Sequence, residues 1–374
     1  MRALLLALVV VLVAATAVAA EESAVMADEG KATAPPSRAV LEGVPEIGFH
    51  IHLSPLPGSI YSVMQYIGDP CSYDYIAAVS GVAFRRFWNR DDGGNIDSMY
   101  LAPESYRRIF TALGYDYRAV PHSGKAAMVA AIKESIAKGR PVLAFGIIGP
   151  PECGIVTGYD KDGEVLYGYS YFQDRSRFPG YYEQPEWFER ASWGPEEGAI
   201  IIGDKKPRPA ERDTLISTLE WAVDLARTPV RPNRPNHASG LAAYDAWANG
   251  LEVDADYPAD DDKTMGTRAM IHGDQAVMLE DRRAAITYLR SMASVAPEAA
   301  GELNAAADLY ERAVGEMSGI WLWGHDMGPE VAKGLLDPAT RRGIARHVRL
   351  ARDREAEAVN HLEAALAALR SHPQ

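Results

Sequence analysis

Cysteine is nearly missing from this chain: among 374 residues only Cys71 and Cys153 are found. That rules out a multi-disulfide scaffold and any site built on paired CxxC motifs, and leaves room for one intramolecular disulfide at most. Positive charge is also short. The formal net charge is −13, gathered in no single long block, which argues against nucleic acid as a partner. The sequence has no Walker loop, no dinucleotide fingerprint, no G-x-S-x-G elbow and no HExxH pair, so no cofactor is implied. His50 and His52 in GFHIHL would share a face if that segment were a strand, but no nearby acidic or cysteine partner completes a zinc set, and no metal site is expected. His122, His272 and the His325-Asp326 pair are scattered and read as surface or packing residues.

Long apolar runs are confined to the start. Residues 1–20 combine one basic residue, an unbroken apolar stretch, and Ala17 and Ala19 before Glu21-Glu22. This is the pattern of a secretory signal peptide, so the expected product is exported, periplasmic or extracellular, with no stable membrane span after cleavage. Residues 21–44, rich in Ala, Glu, Ser and Pro, read as a flexible lead-in.

What the chain does have is a block of short β-branched and aromatic runs bounded by Gly and Pro. Val142 to Ile147, Gly154 to Tyr159 and Glu164 to Tyr169 read as strands, with Asp160-Lys161-Asp162-Gly163 as the hairpin turn between the last two. Before them come helical readings from Ser59 to Gly68 and from Ser72 to Trp88. Ser72 is a candidate N-cap with Asp74 in the first turn. Pro103 opens a further helix, Tyr115 to Val120 reads as a strand, and Lys125 to Lys138 is a helix closed by Gly139. Ala199 to Gly203 is a last short strand. Beyond Lys205-Lys206-Pro207-Arg208-Pro209 the pattern reads helical throughout, and Asp337-Pro338 starts a long final helix. The acidic run Asp254 to Asp262 reads as a solvated loop. Helices first and strands later predict an α+β domain over 45–204, followed by an α-helical region over 205–374.

Two residues carry the simplest chemical readings. Cys71 precedes a helix whose amides and dipole would favour a thiolate nucleophile; the alternative is a structural thiol or a disulfide to Cys153. Glu152, between prolines and an apolar strand, would be a general base raised by desolvation, or else a rim residue. The aromatic stretch from Phe178, including Trp187 and Trp193, is a candidate groove wall, or ordinary packing beneath a long loop.

The runs GRPVLAFG, ECGIVTGYD and GEVLYGYSYF together resemble the core of the papain-like superfamily as seen in C39-type peptidase-like domains. They are closer still to the N-terminal domain of butirosin-biosynthesis-H-like proteins, which tend to be followed by a helical region. The resemblance covers residues 46 to 204. It implies a papain-like helix-plus-antiparallel-sheet fold in which a cysteine at a helix start attacks an acyl carbon. A His opening the strand before the GYD-like turn would be the base, and an Asp or Asn one strand later would orient it. Here the base position falls on Glu152, next to Cys153, so the His is missing. The orienting position falls near Tyr169 or Ser170. The nucleophile position is Ser59 if the first helix is the nucleophile helix, and Cys71 if it is the second. The expectation is therefore a degenerate member that binds a peptide or small ligand around Ser59, Cys153, Tyr169, Trp187 and Trp193. The alternative is a cysteine-dependent amide hydrolase or acyltransferase using Cys71, with Glu152 or a histidine from elsewhere, such as His50 or His52, as base. A third reading gives the helical half a partner interface.

Overall fold

Strands that are apolar on consecutive residues cannot leave either face in water, and the runs around Val142 and Ile155 form the centre of an antiparallel sheet buried on both sides. We describe residues 36–92, 101–120, 125–148, 152–173, 188–190, 198–321 and 329–372 of a computed structural model. Residues 1–35, with the expected signal peptide and most of the expected lead-in, and Trp187, Trp193, His122, His325 and Asp326 lie outside them.

The strands are β1 (Ala39–Val40), β2 (Phe87–Trp88), β3 (Tyr115–Val120), β4 (Val142–Phe145), β5 (Cys153–Asp160), β6 (Val165–Tyr169), β7 (Phe188–Arg190), β8 (Ala199–Lys205) and β9 (Ala238–Ser239). Sheet order is β3-β8-β4-β5-β6-β7, with β1 added to the far end of β5. Four helices belong to this part: α1 (Pro55–Tyr66), α2 (Tyr73–Ser80), α3 (Glu104–Leu113) and α4 (Lys125–Ala137). Both α1 and α4 pack on β5. The β5–β6 connection turns where expected: Lys161 and Asp162 take φ of 48° and 57°, and the Asp160 carboxylate accepts the Lys161 N–H at 2.6 Å. The α+β expectation holds.

The second expected helix is shorter than its periodicity suggested. Ser72 does cap it, its Oγ accepting the Tyr75 N–H at 3.1 Å, but α2 stops at Ser80. Gly81 takes φ +87°, and a side chain there would meet the Trp221 indole nitrogen at 2.2 Å. The chain then makes one tight turn over Val82–Phe84 and runs extended through Arg85 and Arg86 into β2. The first expected helix begins early instead, at Pro55 rather than near Ser59. The expected strand through Ile147 ends at Phe145, because Gly146 takes φ +63°.

Beyond β8 come α5 (Glu211–Arg227), α6 (Gly240–Leu251), α7 (Asp262–Glu280), α8 (Arg282–Met292), α9 (Ala300–Gly315), α10 (Met317–Ile320), α11 (Pro329–Leu335) and α12 (Pro338–Ser371). Asp337 caps α12 as its Asp-Pro start predicts, accepting from the Ala339 and Thr340 amides. The buried stripe Ile344, Val348, Ala351, Leu362 and Leu369 lays α12 across α5, α6 and α9. Two expectations change here. The region is not helical throughout: β9 pairs antiparallel with β2. Nor is the acidic run Asp254–Asp262 simply solvated, because Asp256 is 6% exposed and accepts the Arg90 guanidinium at 2.8 Å, while Asp254 pairs with Arg341. The change from sheet to helices falls at Lys205, where the sequence marks it. Arg38–Gln374 nevertheless pack as one compact unit, with a single apolar cluster running from the sheet into α5, α8, α9 and α12.

Candidate functional site

The first turn of α1 faces the start of β5, and this brings two of the expected residues together. Ser59 is fully buried, and its Oγ donates to the Cys153 carbonyl at 3.1 Å. Cys153 is the first residue of β5 and 1% exposed. Its thiol lies 3.8 Å from the Gly154 carbonyl, and burial pushes its pKa well above the ordinary value. Glu152 lies one residue earlier and its carbonyl accepts the Gly146 N–H at 3.3 Å. Tyr169 ends β6 opposite Ile155, half-buried against the core.

Cys71 belongs to a different environment, beside Asp69, Lys205 and Arg208 just before α2. Burial, with Asp69 adding to it, pushes the thiol up to about 11, against the opposing pull of Arg208 and Lys205. Those two cations are largely committed elsewhere: Arg208 donates to Asp69 at 2.8 Å, and Lys205 pairs with Asp69 and the Leu113 carbonyl. The helix-start location is present, but the activation it suggested is not. Both cysteines are free thiols.

His50 and His52 lie in a turn rather than a strand, the His52 N–H returning to the Gly48 carbonyl at 3.1 Å. His50 is exposed, whereas His52 stacks in parallel on Tyr73 with centroids 4.1 Å apart and meets Tyr61 edge-on at 4.7 Å. The His52 imidazole is held below its ordinary pKa by burial. Among the described residues, no group of three or more His, Cys, Asp or Glu side chains could hold a metal ion, and no helix is long and apolar enough to cross a membrane.

Five residues at this junction carried no expectation. Ser54, fully buried at the N-cap of α1, turns its Oγ away from the helix to the Asp281 carboxylate, 3.1 Å from both oxygens. Asp281 in turn accepts from Arg85 at 2.7 Å. The Ser54 N–H donates to the Tyr73 hydroxyl at 3.3 Å. Tyr171 lies over Gly58, where a Cβ would come within 1.9 Å of its hydroxyl oxygen. The Ser-Pro pair at 54–55 is a local helix-start signal that could have placed α1 correctly. Nothing local marks Asp281, 227 positions away from Ser54.

This arrangement blunts the helix start as an anion or oxyanion site. Pro55 and Pro57 have no N–H, and the Gly58 N–H is taken by the Ser54 carbonyl at 3.1 Å. Only Leu56 is left in the first turn with an amide that the N-cap side chain does not accept. Compared with known families and curated proteins, the chain matches no family model and no curated sequence.

Proposed function

We propose that this is an exported papain-like-fold protein whose α1–β5 junction binds a peptide or small ligand without covalent chemistry. The observation that carries the reading is the Ser59 to Cys153 contact. On the papain-like reading, this helix-to-strand contact would correspond to the pairing of nucleophile and base. Here the helix side chain is a buried hydroxyl whose proton is committed to a backbone carbonyl, and the strand opens with Glu152-Cys153 in place of an imidazole. The two prolines remove amides that would otherwise stabilise an oxyanion. With the Ser59 hydroxyl bonded to the Cys153 carbonyl rather than to an imidazole, each missing proton transfer costs about two to four orders of magnitude in rate.

The alternative, chemistry at Cys71, needs a thiolate. With the thiol near 11, roughly one molecule in ten thousand carries it at pH 7. The test is intact-mass measurement after iodoacetamide treatment between pH 7 and 10 without reductant, with peptide mapping. Slow labelling of Cys71 that climbs across the whole range, and labelling of Cys153 only after unfolding, is expected. Rapid modification of Cys71 already at pH 7 would sink the non-covalent reading and direct the search to acyl and amide substrates.

A further inference from the structure

We draw no further inference here: the strongest candidate, the cavity of about 20 Å³ between β2, α6 and α7 lined by Trp88, Trp247, Tyr257, Arg268 and His272, has room for little more than a water molecule, and nothing in the structure shows what else would occupy it.

Discussion

In the seam between residues 82–86 and the helical half, Arg282 is fully buried and saturated. It donates to both Glu355 oxygens at 3.0 and 2.7 Å and to the carbonyls of Ala83, Phe84, Arg85 and Met278. Tyr244 adds a 2.6 Å bond to the same carboxylate. At the α1–β5 junction, by contrast, the Tyr171 hydroxyl and the Nε2 of half-buried His52 are shut off from solvent without a hydrogen-bond partner among the described residues. Around Arg282 the polar groups serve the fold: each nitrogen of its guanidinium finds an acceptor, and the network locks segments together. Buried polarity is thus satisfied around Arg282 and left over at Tyr171 and His52.

The strongest way to break this comparison is Glu355→Ala. Burial alone would raise the Glu355 carboxyl, but Arg282 overrides it and holds the group below its ordinary value. Removing it strands a buried guanidinium, and a loss of about 3–5 kcal/mol in urea unfolding is expected. A loss under about 1 kcal/mol would mean the seam is not the structural element it resembles.

The histidines sharpen the contrast next. His272, deep in α7 with Nε2 on the Ile320 carbonyl at 3.2 Å, is held by burial at about 4 against an ordinary 6.5. The unfolded chain takes up that proton first, so stability falls as pH drops from 6.5 towards 4 and falls no further on this account below it. The total is roughly 3 kcal/mol. Unfolding at pH 7 and 4.5 should show this acid loss shrinking in His272→Gln. His52→Gln, at a half-exposed site, should leave the loss nearer that of the native chain.

The smallest effects are at the junction itself. Gly58→Ala forces a methyl onto the Tyr171 hydroxyl and should cost about 1–3 kcal/mol. Tyr171→Phe removes an unsatisfied hydroxyl and should be neutral or stabilising by about 1 kcal/mol. The double variant should recover part of the glycine loss, since the ring Cζ stands 3.1 Å from the new methyl. If Tyr171→Phe alone costs 1 kcal/mol or more, the hydroxyl is satisfied in the free protein and the comparison fails.

Much of the fold was readable wherever the signal was local. The Gly- and Pro-bounded apolar runs became β4, β5 and β6; Ser72 and Asp337 cap the helices they were expected to cap; and the stripe on α12 is buried. The readings that failed did so where a distant partner decides. Arg86 lies within the span expected as the second helix. In the structure it stacks on Tyr244 with 3.8 Å to the ring centroid and donates to Gln275, so the chain leaves the helix at Gly81 to deliver it there. Of the expected site, Ser59 and Cys153 meet across 94 positions, Cys71 lies in a separate cluster, and Trp187 and Trp193 fall outside the described residues.

What the sequence determined by itself was the inventory and its local order: an α+β chain with a helical second half, where strands and caps are written by neighbouring residues whose backbone preferences act over a few bonds. Which polar groups would be buried, and which of those would be satisfied, was decided only by tertiary structure. Ser54 meets Asp281 and Arg282 meets Glu355 across long stretches of chain, because desolvation and hydrogen bonding depend on what packing brings within about 3 Å, and no local pattern encodes that distance.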